Sequence, residues 1–328
     1  MGWRGTLRTL EAASRRAQRG QEREHKRLLV LHKQSEKMNS LERARNEVEL
    51  YESHIASLLS VHKQCSGQVD WRELANKPTP QKPEPQSAHK RAALSALQTY
   101  KPSLIDRIFG RVEQKRNILE HNVQVALQRD QDEFKLELSK HGDEVAEWEA
   151  TRELALGVIN GDQSAFSEAL KHCDPFADIR ELGSAIVIDF QSAQIADAAF
   201  QANGPEVIPT ETKSLLKSGK VTIKKMPAGT YWELYQDYVC SCILRIGREL
   251  FAMLPINKVI VTATAEILNS ATGQMENTPI VSALLVRETM DKINFENVDC
   301  SDSLKNFIHN MGFKRSEGFS AVQKVAPK

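Results

Sequence analysis

Three carboxylates and a lysine stand where chemistry could be built at the end of a sheet. Glu211-Thr-Lys213 closes one strand-like stretch, and Asp197 and Asp189 lie on the two stretches before it. Carboxylate oxygens at neighbouring strand ends can hold a divalent cation such as Mg2+, with Asp197 and Glu211 as its ligands. A lysine beside them would orient an attacking water or steady phosphate charge. Gln236, a polar residue on the helix that follows, would complete the set as the remaining catalytic position. The same residues have a structural reading, in which Glu211 and Lys213 are a surface pair. Lys213, Lys217, Lys220, Lys224 and Lys225 then make a solvated hairpin of the kind that protects a sheet edge.

A second concentration of charge lies near the beginning. Arg4, Arg8, Arg15, Arg16, Arg19, Arg23, Lys26 and Arg27 are opposed only by Glu11, Glu22 and Glu24, while the whole chain carries a formal charge of +1. Such a run can neutralise phosphates and so bind nucleic acid, although Trp3 is the only aromatic residue there to stack on a base; the alternative is a charged helix face in water. Met1-Gly2-Trp3-Arg4-Gly5-Thr6 also fits the loose pattern for an amino-terminal acyl chain. His62 and Cys65 share a helical face, at positions where a polar residue more often fixes register than binds metal. The five cysteines are scattered and have neither disulfide-scaffold nor zinc spacing, and no secretory leader or membrane-length apolar run is legible. Together these features place the expectation in the cytoplasm, with no cofactor beyond Mg2+ in the metal-binding reading.

The elements that must position these groups fall into five stretches. Residues 1–77 read as basic helix leading into a seam, Leu41, Ala44, Val48, Tyr51, Ile55, Leu58, His62 and Cys65 falling on the a and d positions of a heptad. Residues 78–86 belong to a proline-rich linker. Residues 87–160 resume as helix, with Ser103 as an N-cap and Ile105, Ile108, Val112, Leu119, Val123, Leu127, Phe134, Leu138, Val145 and Trp148 on one face. This second rod is expected to fold back along the first as an antiparallel arm. Residues 161–183 form a short helical connector, and 184–328 a globular head.

Within the head the apolar period drops to two, giving strand candidates at Ala185–Phe190, Ile195–Phe200, Glu206–Thr212 and Lys220–Lys225. A long helix from Tyr231, with a wide apolar stripe, stops at Pro255 and feeds the β-branched run Lys258–Thr262. A further strand at Pro279–Val286 and a last helix at Ser301–Asn310 complete the head. The fold class is α+β: a long helical arm followed by a mixed-sheet domain.

Over residues 185–263 the order of acid-bearing strand, Glu-x-Lys strand, helix with a polar residue and apolar strand is similar to the PD-(D/E)xK nuclease core. That resemblance implies a Mg2+-dependent nuclease with Asp189, Asp197, Glu211, Lys213 and Gln236 in its site. Pro209, two residues before Glu211, is out of place in the central strand such a core needs. The leading expectation is instead a non-enzymatic assembly protein, which self-associates or meets a protein partner through its helical arm and carries a partner-binding head. The nuclease and nucleic-acid binding through the arginine-rich stretch are the alternatives.

Overall fold

A computed structural model describes residues 40–176, 183–217, 219–269 and 271–326 of the chain. The cationic run from Arg4 to Arg27 lies outside the described residues. In chain order the helices are α1 (Ser40–Leu59), α2 (Trp71–Ala75), α3 (Ala88–Thr99), α4 (Leu104–Ile108), α5 (Val112–Ile159), α6 (Gln163–Cys173), α7 (Ala228–Met253), α8 (Arg287–Met290) and α9 (Cys300–Ser303). The strands are β1 (Gly183–Ser192), β2 (Ile195–Ala202), β3 (Glu211–Leu215), β4 (Val221–Lys225), β5 (Lys258–Asn269), β6 (Gln274–Val286), β7 (Ile308–Lys314) and β8 (Gly318–Ser320). The fold is α+β. Contacts divide it into two compact units, a helical one over 73–153 and a mixed one that takes in 40–72 and 154 onward.

The mixed unit is built on α7. Val239, Ile243, Ile246 and Leu250 are buried, as a helix with an apolar stripe this wide requires. Beneath it lies a six-stranded sheet in the order β1-β2-β5-β6-β7-β8, in which β2 and β5 run parallel and the other neighbours antiparallel. Gly247 of α7 sits so close to the sheet that a Cβ there would fall 2.3 Å from Leu285 Cδ1. Leu285 shares its register row with Val259 and Ala196, so this row and its alternates, Ala198-Val261-Ala283, form the helix-facing side. On the other side Ile260 and Leu284 cluster with Val325, which the final stretch brings across the strands. Ser282 Oγ accepts from Val325 N at 3.0 Å, and Lys324 Nζ meets Asp197 Oδ2 at 2.6 Å.

Several expectations change. The heptad face of α1 is covered within the mixed unit: Ala44, Val48 and Leu58 are buried, and α1 packs on β3, β4 and α7. A seam states only that a face is apolar, and here the β3-β4 hairpin and α7 cover it. Helix α5 is flanked in its own unit by the proline-rich stretch itself. Trp148 Nε1 donates to Lys77 O at 2.8 Å, and His141 Nε2 lies 3.2 Å from Pro80 O. An extended proline-rich strip has no internal hydrogen bonds, so carbonyls such as those of Lys77 and Pro80 are open to side chains along a rod. The expected continuous helix from Ser103 breaks at Gly110, whose φ of +66° is left-handed, separating α4 from α5.

The third strand starts at Glu211 instead of Glu206. Pro205 and Pro209 lack backbone donors for a ladder, and Pro205–Val207 forms a helical turn. The expected terminal helix Ser301–Asn310 is only one turn, α9, followed by Leu304–Asn306 and then β7. Here the free edge of β6 offers backbone partners, so Ile308 pairs with Leu284.

Gly247 supplies a stability test. Gly247→Ala places a methyl group against the buried Leu285, a strain of about 1–3 kcal/mol that the roughly 1 kcal/mol gained in helix preference only partly offsets. Urea denaturation should therefore show a loss of stability, whereas the same change at the open Gly142 of α5 should stabilise.

Candidate functional site

The structure does not bring the metal-site positions together. Asp189 and Asp197 are direct cross-strand partners on β1 and β2, but Asp197 is engaged by Lys324 at 2.6 Å and by Gln191 Nε2 at 3.0 Å. Glu211 and Lys213 belong to the separate two-stranded sheet β3-β4. Lys213 Nζ is paired there with Glu47 of α1 at 2.7 Å, while Glu211 stands opposite Lys225. Gln236 Nε2 contacts Met311 Sδ at 3.5 Å. Among the described residues Asp189, Asp197 and Glu211 are not part of any group of three or more whose ligand atoms could share one ion. The strand order in sequence suggested neighbours in one sheet, whereas the proline-bounded hairpin forms a sheet of its own.

One group does have ligand atoms within 4.8 Å of one another: His89, Asp130 and Glu133, in the helical unit. Its geometry is that of a helix cap. Asp130 Oδ1 accepts from His89 N at 3.1 Å and Oδ2 from Lys90 N at 2.8 Å. A carboxylate from α5 thus satisfies the first N–H groups of α3, at the positive end of its dipole. Burial opposes the charge on Asp130, yet these backbone donors hold its pKa below the ordinary carboxylate value. The location favours an anion and disfavours a metal ion.

The third cluster was not legible as a unit in the sequence. His62, Ser241 and Cys300 are all buried. His62 Nε2 lies 3.0 Å from Phe295 O, and because a carbonyl can only accept, Nε2 carries the proton and Nδ1 is left as an acceptor. Ser241 Oγ and Cys300 Sγ each lie 3.0 Å from Nδ1, and Ser241 Oγ also takes the His62 backbone N–H at 2.9 Å. A thiol, an imidazole and an orienting carbonyl can make a nucleophile and its base. Here burial pushes the Cys300 thiol up to about 12, which keeps it protonated and unreactive at neutral pH. Neither the cavity of about 390 Å³ beside Trp71 nor that of about 330 Å³ beside Arg248 includes any of the three. The cluster is a latch that fastens the turn Val61–Lys63 to α7 and α9.

The surface feature that the helical unit does present is apolar. Leu104, Ile108 and Phe109 are 76%, 78% and 66% exposed, around the break at Gly110. The turn that carries them is firmly built. Ser103 caps α4, its Oγ accepting from Asp106 N at 3.2 Å while Asp106 Oδ2 accepts from Ser103 N at 3.3 Å and from Ser103 Oγ at 2.8 Å, a reciprocal capping box. Lys115 Nζ reaches the buried Asp106 at 2.5 Å and Arg111 N donates to Asp106 O at 2.9 Å. The Lys115 contact, with the Ser103 bonds, holds the Asp106 carboxyl below its usual pKa. Along α5, Ile118, Val125 and Leu136 are also exposed. Spacing places Ser103 at a cap and Ile108 on a stripe expected to be buried, whereas Ile108 is exposed.

No protein-family model, no curated protein and no solved structure matches the chain. Among the described residues no helix is long and apolar enough to cross a membrane.

The latch gives a pH test. Burial lowers the pKa of His62 from its ordinary value of 6.5, so the unfolded state binds more protons than the folded state below that pH, and the latch contribution is lost as pH falls through the imidazole range. Asp237 acts oppositely: burial pushes it up to about 6, so it adds stability as pH falls below that value. Between about pH 7 and 5, thermal denaturation of His62→Gln should lose less stability than the parent, and Asp237→Asn should lose more.

Proposed function

We propose that this is a non-enzymatic assembly protein that self-associates through its helical unit, a second copy covering the tip formed by Leu104, Ile108 and Phe109. The observation that carries this reading is the exposure of three large apolar side chains on a turn fixed by the Ser103–Asp106–Lys115 contacts. A frayed end would need no explanation, but a capped and ion-paired turn that holds its apolar residues in water is a contact surface in waiting.

The charge pattern supports a second copy as the occupant. Around the tip, Lys101, Arg107, Arg111, Lys115 and Arg116 outnumber Asp106 and Glu113. Farther along the same helical unit, residues 130–149 carry eight carboxylates against Lys135 and Lys140, with the exposed Leu136 among them. Helix α5, at about 1.5 Å per residue, is long enough to separate these opposite charges well beyond a Debye length. Two copies laid antiparallel along α5 place the basic apolar tip of each against the acidic stretch of the other, an isologous arrangement in which one contact occurs twice. The stripe from Leu119 to Trp148, half-buried in the single chain, would be covered further by the same approach.

Sedimentation velocity on the full chain tests the reading. A dimer is expected at low salt, loosened as the ionic strength rises toward about 0.5 M, where screening shortens to a few ångströms. Ile108→Asp with Phe109→Asp should weaken the association by at least about tenfold and leave the circular dichroism unchanged, since neither side chain supports the fold. A chain that stays monomeric at every concentration, or a dimer indifferent to both substitutions, would rule the proposal out.

A further inference from the structure

We infer that the cavity beside the carboxyl-terminal end of α7 binds a small organic anion, an oxyanion head attached to an apolar body. The cavity, of about 330 Å³, is bounded by two guanidinium groups, Arg248 and Arg287. This volume lies at the small end of ligand pockets.

Both arginines are held in place by neutral acceptors. Arg248 Nη1 donates to the carbonyls of His62 and Lys63, and its guanidinium carbon lies 4.0 Å from the centroid of the Phe295 ring. Arg287 Nε donates to Ile256 O at 2.9 Å and its Nη2 to Phe251 O and Leu254 O at 2.8 and 2.6 Å, with its guanidinium carbon 4.9 Å from the Phe251 ring centroid. These bonds fix the two groups and leave their charge in place. Among the described residues neither arginine forms an ion pair with a carboxylate, although both are only part-exposed.

Two immobilised cations, faced by the single exposed carboxylate of Asp291, line one cavity; because each guanidinium is already held, an incoming oxyanion loses little entropy in meeting them. Burial also lowers the Arg287 pKa, the mark of a cation kept partly from water, which a bound anion would relieve. The remaining walls fit an apolar body, since Phe251, Met290, Ile293 and Phe295 line the cavity along with neutral Ser66 and Gln68. Asp291 is the only carboxylate in the lining. It is exposed and works against an anion, which makes it a useful handle.

Titration calorimetry on the full chain with phenyl phosphate, inorganic phosphate and phenol tests the assignment. Phenyl phosphate should bind at one site per chain, inorganic phosphate more weakly for want of a body, and phenol not measurably. Arg248→Gln should weaken phenyl phosphate binding by about tenfold or more, the loss expected for a charge-assisted hydrogen bond. Should that variant misfold, Asp291→Asn decides: its side chain is at the surface, and removing its charge should tighten binding several-fold. No heat with phenyl phosphate, equal binding of phenol, or an affinity unmoved by Asp291→Asn would each overturn the proposal. The double substitution at Ile108 and Phe109 should leave this binding intact, so the failure of either proposal is distinguishable from failure of the other.

Discussion

From Tyr235 to Met253 the central helix has almost no face left for water, and the mixed unit is what results from covering it. Such a helix must be enclosed on every side. The sheet takes one side, with Gly247 admitting it to close range; α1 and the turn after it take another, and α9 a third. Even the charges along it are internal, Arg245 meeting Glu249 one turn on at 2.7 Å with both buried. A buried pair of this kind contributes little net stability over an apolar replacement, but removing one partner alone is costly, so it commits the helix to one orientation.

The segment from Ser66 to Trp71 shows how the end of α7 is closed. Ser66 N donates to Glu249 Oε1 at 2.8 Å, Val69 N to Ala252 O at 3.1 Å and Trp71 Nε1 to Met253 O at 2.6 Å. Arg287 collects three more carbonyls from the same region. Helix ends leave their last carbonyls without internal partners, and here the donors they need are supplied by a distant segment and one arginine. The cavity proposed to take an anion lies beside this closure, in which Arg287 is the one cation among otherwise neutral donors.

What the sequence made legible was local. The stripe on α7 and the β-branched run of β5 are long and strongly periodic, and Ser103 is legible as a cap because Pro102 interrupts the helix just before it. The partner of the α1 seam was not legible, because spacing identifies an apolar face without saying what meets it. Strand β7 was missed because Asn310 and Gly312 break its apolar alternation, and its conformation is imposed by the open edge of β6. The latch could not have been found by motif: His62 lies 179 residues from Ser241 and 238 from Cys300. For Asp197 and Glu211, succession along the chain was mistaken for adjacency in a sheet.

Because residues 40–72 share a core with strands that begin at Gly183, the helical unit over 73–153 interrupts the mixed one in the chain. This ordering has a kinetic consequence. During synthesis α1 emerges well before the sheet and helix that will cover it, and its apolar seam must wait. Closing so long a loop carries an entropic penalty that grows only with the logarithm of its length, but the native contacts that reward closure are non-local, the class that slows folding most. The rate-limiting event in reaching the native state should therefore be the late docking of α1 and its turn onto α7, and a nascent chain caught before that event would be a natural client for chaperones.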